Sequence, residues 1–146
     1  MKDDYSAVEI LLVEDSEEDA ELTMRALTKA RLANAVHRVS DGQEALDFLF
    51  STGPYAHNEA KPRVVLLDLK LPKIGGIEIL QAIRTDPRTA TTPVVVLTSS
   101  AEDRDLEECY RLGVNSYIVK PVEFANFVKA VEQLGFYWAV LNRTLR

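Results

Sequence analysis

Five polar side chains stand at the ends of apolar runs that are far apart in this 146-residue chain. Glu14 and Asp15 follow Ile10-Leu11-Leu12-Val13, and Asp68 follows Val64-Val65-Leu66-Leu67. Thr98 follows Val94-Val95-Val96-Leu97, and Lys120 follows Tyr117-Ile118-Val119. Carboxylates that cluster repel one another unless they are protonated or bridged by a cation. Hard oxygen donors suit Mg²⁺, which keeps several waters and takes one or two carboxylates plus a phosphate. A carboxylate can also be a nucleophile and form an aspartyl phosphate. Phosphoryl transfer needs mainly positioning and neutralised oxygens, which Lys120, a Thr98 donor and a bound cation would supply. Each residue alone has a plainer explanation. An Asp after a strand is often a turn cap, acids are favoured near a helix N-terminus, and Lys-Pro can be a turn. Together they can do this chemistry only if the fold brings all of them to one place.

The elements that would bring them there alternate regularly. Val8 to Val13 reads as a buried strand, and Ser16-Glu17-Glu18-Asp19 as a capping-box start to a helix carrying Ala20, Thr23, Met24 and Leu27 at helical spacing. A short strand spans Ala35 to Val39. Asp41-Gly42 turns into a helix marked by Ala45, Leu46, Leu49 and Phe50. Residues 51–63 form a polar loop before the third strand, Val64 to Asp68, whose continuous apolar run suits a sheet covered on both faces. Gly75-Gly76 breaks the chain before a helix with Ile79, Leu80 and Ile83. Val94 to Thr98 is the fourth strand. Leu106, Cys109 and Tyr110 mark a helix stopped by Gly113, and Ser116 to Val119 is the fifth strand. Phe124, Phe127, Val128, Val131 and Leu134 give the last helix its core stripe. Five βα units in a row predict a three-layer α/β/α sandwich around a five-stranded parallel sheet. The site is then expected at the carboxyl ends of the strands, near the switch in strand order.

Composition bounds the remaining possibilities. Hydrophobic residues make up 47% and charged residues 27% of the chain, enough apolar material for one core. The net charge is −6 with no basic stripe, so no nucleic-acid partner is expected. Cys109 is the single cysteine, which excludes an internal disulfide. The acidic N-terminus has no apolar core of a signal peptide, and no apolar run approaches a bilayer span. A cytoplasmic protein without membrane contact is the expectation.

The phrases Ile-Leu-Leu-Val-Glu14-Asp15-Ser, Val-Val-Leu-Leu-Asp68-Leu-Lys-Leu-Pro72, Val-Val-Leu-Thr98-Ser-Ser and Tyr117-Ile-Val-Lys120-Pro121 resemble the CheY-like receiver domains of two-component response regulators. The resemblance covers about residues 8–134, with a tail at 1–7 and a helical extension at 135–146. It implies the flavodoxin-like strand order 2-1-3-4-5. It implies Mg²⁺, with Mn²⁺ as an acceptable substitute, held by Glu14, Asp15, Asp68 and the Lys70 backbone carbonyl. It makes Asp68 the phosphoacceptor and places Thr98 and Lys120 on the phosphoryl group. Thr98 and Tyr117 become the switch pair, and Lys120-Pro121 a cis peptide. Glu14 stands where many relatives have Asp, and its longer arm is expected to reach the metal through water. The loop around Tyr55, the phrase Leu-Asp-Leu-Lys-Leu-Pro-Lys and the aromatic tail resemble single-domain regulators associated with bacterial phytochromes.

The implied function is a phosphorylation switch, not an enzyme, fed by a sensor histidine kinase with a phytochrome among the candidates. Output would be a protein contact, since no effector domain follows within the chain; relay to a histidine phosphotransfer protein is the alternative. Leu134, Trp138, Leu141 and Leu145 fall at helical spacing, so helix five and the tail, with Phe136, Tyr137, Trp138 and Leu141, are expected to form a homodimer interface. A haloacid-dehalogenase-like phosphatase would need an acid two residues after the nucleophile, where Lys70 stands. A flavodoxin would need a phosphate loop where Val13-Glu14-Asp15-Ser16 is acidic. An inactive receiver would have lost Asp68, Lys120 or the acidic pair. His37 and His57 lack metal-ligand spacing and are expected in structural or solvent roles, Cys109 as a small buried group, and Gly75-Gly76 as a turn.

Overall fold

A computed structural model describes residues 8–32, 35–99 and 105–132, with side chains of the last helix described as far as Ala130. The elements run β1 (Ile10–Val13), α1 (Glu17–Lys29), β2 (Val36–Val39), α2 (Gly42–Phe50), β3 (Val64–Asp68), α3 (Gly76–Thr85), β4 (Val94–Thr98), α4 (Asp105–Arg111), β5 (Ser116–Val119) and α5 (Phe124–Glu132). All strand pairs are parallel, in the order β2-β1-β3-β4-β5. The expected sandwich and strand order are therefore present. The first two strands are shorter than read from sequence, and residues 51–63 include one 3₁₀ turn, Gly53–Tyr55. The expected tail at 1–7 and helical extension at 135–146, and the expected interface residues Phe136, Tyr137, Trp138 and Leu141, lie outside the described residues.

Strand alternation divides the core between the two faces of the sheet. Ile10, Leu12, Leu66, Leu97 and Ile118 pack with Leu27 of α1 and Phe127 of α5. Leu11, Val13, Val65, Leu67 and Val96 pack with Phe48, Ile79, Leu80, Ile83 and Cys109 from α2, α3 and α4. β1, β3 and β4 are buried along their whole length, whereas β5 alternates buried and exposed, as an edge strand does. One core expectation is overturned. Phe124 is 38% exposed, and the buried positions around α5 are Val122, Phe127 and Ala130. Phe124 is the first residue of its helix, and the buried positions begin one turn later, at Phe127.

Two long-range features brace the frame. Arg84 on α3 donates to the carbonyls of Leu112 (2.8 Å), Thr92 (2.7 Å), Ala90 (3.3 Å) and Gly113 (3.0 Å). It thereby ties together the connections that enter β4 and β5, at the end of the sheet away from the strand carboxyl ends. His37 on β2 stacks on Phe48 at 4.7 Å and meets the Tyr55 hydroxyl at 3.0 Å, and that hydroxyl donates to Glu44 Oε2 at 2.9 Å. His37 is thus a packing residue and His57 is exposed, in keeping with the roles read for them. Cys109 is buried as expected.

Candidate functional site

The site begins with the backbone just after β1. The Glu14 N–H donates to the Val39 carbonyl at 3.1 Å. The Arg38 guanidinium of β2 donates twice to the Glu14 carbonyl, at 3.0 and 2.9 Å. With both its N–H and its carbonyl bonded to β2, Glu14 turns inward and is fully buried, while Asp15 faces solvent. Ser16 caps α1, its Oγ accepting from the Asp19 N–H at 3.2 Å. The other half of the expected capping box does not form. The Ser16 N–H goes instead to Glu14 Oε2, at 3.3 Å.

Asp68 closes β3 and is 5% exposed. Its Oδ1 accepts from the Lys70 N–H at 3.1 Å, an Asx turn that fixes the carboxylate. Behind it the chain folds back so closely that a Cβ on Gly76 would lie 2.6 Å from the Asp68 carbonyl oxygen and 2.6 Å from Leu69 Cα. Gly75-Gly76 is the turn expected, and Gly76 is required there by this contact. Thr98, buried, ends β4, and its carbonyl accepts from the Lys120 N–H at 2.8 Å, joining the ends of β4 and β5. The Lys120-Pro121 bond is cis, as the resemblance implied. Tyr117 points outward, 37% exposed, in edge-to-face contact with Tyr110 at 6.4 Å.

Lys120 is the hub. Its Nζ lies 2.8 Å from Glu14 Oε1, 3.0 Å from Asp19 Oδ2 and 3.3 Å from Asp68 Oδ2. Burial works against the ammonium, but Glu14, Asp19 and Asp68 outweigh it and hold its pKa above the usual lysine range. Burial also pushes the Glu14 carboxyl up, from 4.5 to about 7, with the Asp68 carboxylate adding to the rise and Lys120 opposing it. Glu14 Oε1 has the Lys120 ammonium, at 2.8 Å, as its ion-pair partner. Oxygens of Glu14, Asp15 and Asp68 lie within 4.8 Å of one another. Their all-oxygen, mostly anionic character fits a hard divalent ion. A hollow of about 170 Å³ opens above them, lined among others by Asp15, Asp19, Asp68, Thr98 and Lys120.

The fold therefore brings together Glu14, Asp15, Asp68, Thr98 and Lys120 as the sequence predicted. Lys70 is placed by its amide, beside them. Glu14 is packed inside, with Oε1 2.8 Å from the Lys120 ammonium, and its carboxylate also belongs to the acidic cluster with Asp15 and Asp68. Sequence reasoning missed the roles of Asp19 and Arg38, and read Gly76 as a turn residue without its steric reason. In sequence Asp19 reads as part of a capping box, and nothing near Arg38 marks its partner, 24 residues away.

A family model described as a response regulator receiver domain matches residues 10–132. A probable methanogenesis regulatory protein, FilR2 of Methanothrix harundinacea, is 42% identical over 136 residues, 92% of this chain and 86% of that protein. The bacteriophytochrome response regulator RtBRR superposes with a TM-score of 0.83 at 53% identity, over 91% of this chain and 81% of that one. An Mn²⁺-bound response regulator, Rcp1, superposes with a TM-score of 0.71 at 36% identity, covering 88% and 92%.

Proposed function

Because this chain belongs to the response regulator receiver family, we propose that it is a two-component switch whose Asp68 accepts a phosphoryl group from a sensor histidine kinase. The observation that carries this is the Lys120 ammonium set between Glu14 and Asp68 beneath an open hollow. In the transfer, an Asp68 carboxylate oxygen forms a bond to phosphorus as the phosphorus–nitrogen bond of a phosphohistidine breaks, and the electron pair returns to the imidazole. The Lys70 N–H holds Asp68 Oδ1 so that the carboxylate is oriented before the donor arrives. The Thr98 hydroxyl and Lys120 ammonium receive phosphoryl oxygens at the ends of β4 and β5. Glu14, Asp15, Asp68 and the Lys70 carbonyl are the groups that would hold Mg²⁺. When bound, that ion neutralises the acidic cluster and the incoming phosphoryl charge. The hard-oxygen donor set and the Mn²⁺ in the related Rcp1 structure support a divalent ion here.

The chain takes up one phosphoryl group rather than turning over a substrate, and signals by changing its protein contacts. The likeness to RtBRR makes a phytochrome-type kinase the first partner to try. A second copy, joined through α5 and residues 135–146, is the proposed assembly; it rests on the helical spacing of the tail. To test the reading, the protein and Asp68→Asn are incubated with acetyl phosphate and Mg²⁺ and weighed. The wild type gains one phosphoryl mass and the variant gains none. Equal gain in both removes Asp68 from its role.

A further inference from the structure

Asp19 sits in the first turn of α1, beside Glu17 and Glu18, where the helix dipole alone favours an acid. Its neighbour Ser16 also offers it the returning half of a capping box. Glu14 has taken that place, since Glu14 Oε2 receives the Ser16 N–H. The Asp19 carboxylate is thereby free to cross to a residue 101 positions away, the Lys120 ammonium, at 3.0 Å. It is also part of the wall of the hollow above Asp68.

We propose that Asp19 is a positioning residue that clasps Lys120 in the resting site and must let it go before the ammonium can serve a phosphoryl group on Asp68. The proposal rests on the phosphoacceptor reading above. Three carboxylates share the one ammonium at rest. Two of them have other partners in the activated site, because Asp68 carries the phosphoryl group as an acyl phosphate and Glu14 belongs to the candidate cation cluster. Asp19 lies outside that cluster. It keeps its charge, competes with phosphoryl oxygens for Lys120 and repels the anion across the hollow. A contact made in one state alone biases the equilibrium toward that state. The Asp19 side chain is 36% exposed, so solvent screens the pair, and the bias is about fivefold, in the range of partly exposed ion pairs.

The test uses the full chain as wild type, Asp19→Asn, Asp19→Glu and Glu18→Gln. Glu18→Gln removes the same charge from the same helical turn without approaching Lys120, and so isolates the dipole effect. Two quantities are measured. One is the affinity for beryllofluoride in Mg²⁺, by calorimetry. The other is the rate at which an amine-reactive acetylating reagent modifies Lys120 without metal or phosphate, read by peptide mass. Asp19→Asn is expected to bind beryllofluoride about fivefold more tightly and to expose Lys120 to acetylation about fivefold faster. Asp19→Glu restores both, Glu18→Gln matches wild type, and Mg²⁺ affinity is unchanged throughout. The proposal is overturned if Asp19→Asn leaves Lys120 reactivity and beryllofluoride affinity at wild-type values, or if Glu18→Gln moves them as far. A wild type that gains no mass from acetyl phosphate defeats the phosphoacceptor reading itself, and the proposal with it, whatever the Lys120 rates.

Discussion

Glu14→Gln should make the metal-free protein more stable at alkaline pH, and the size of the gain follows from the burial of the carboxyl. In the folded state Glu14 releases its proton near pH 7 rather than at the ordinary 4.5. Between those values the folded chain holds a proton that the unfolded chain has lost, so stability falls as pH rises through the window. The sign is that of an acid with a raised pKa: the contribution is whole below about 4.5 and is lost above about 7. At 1.36 kcal/mol per pKa unit the loss is about 3 kcal/mol. For a chain of this size that is roughly 6–12 °C in melting temperature. Glutamine imitates the protonated form at every pH and carries no such loss, while Lys120 stays charged throughout. The assay is a set of thermal melts of wild type and Glu14→Gln in EDTA from pH 4.5 to 8. The two curves should coincide at the acid end and separate progressively, with the variant higher at pH 8. Saturating Mg²⁺ at pH 8 should close the gap or reverse it, because a cation stabilises the ionised carboxylate and favours release of its proton. Curves that stay parallel across the whole range would refute the reasoning, since the buried carboxyl would then titrate as it does in the unfolded chain.

Three further outcomes are expected. Mg²⁺ should raise the melting temperature of wild type by the equivalent of about 2.7 kcal/mol at a hundred times Kd, and Asp15→Asn should blunt the rise; identical titrations would move the cation elsewhere. Gly76→Ala should cost about 1–3 kcal/mol in denaturant melts, because its methyl group meets the backbone of Asp68 and Leu69, and should weaken Mg²⁺ binding as well; a neutral substitution would show that the turn is not tight. Deleting residues 136–146 should convert a dimer to a monomer by light scattering at matched concentration, and a truncated chain that dimerises equally well would end the tail proposal.

How far the sequence could be read depends on where each signal is stored. The strands β1, β3 and β4 were legible because parallel strands buried on both faces are continuous apolar runs. Their ends were then the natural place to look, and Glu14, Asp68 and Thr98 are found there. β5 was legible from its flanks, since its outward positions Tyr117 and Val119 are apolar and hide the alternation that the structure reveals. Phe124 was misjudged because a hydrophobic residue at the first position of a helix fits the periodicity without facing the core. Asp19 and Arg84 were not legible at all. Each makes its decisive contacts with groups remote in sequence, and each has a simpler local explanation, a helix-start acid and an exposed helical arginine. Gly76 was seen as a turn residue, but its need to be glycine comes from the close approach of its own connection's start, at Asp68 and Leu69.

The place of Lys120 in the strand order has a consequence for how the protein is made. Glu14, Asp15, Asp19 and Asp68 all lie within the first 68 residues, on elements that form one side of the sheet around β1. Their counter-charge arrives on β5, which pairs with β4 alone at the far edge. Domains emerge from the ribosome N-terminal end first, so the four acids leave it well before the ammonium that neutralises them. Docking of β5 is therefore the step that brings Lys120 into the cluster, and a nascent chain that has reached only residue 115 carries these acids without it.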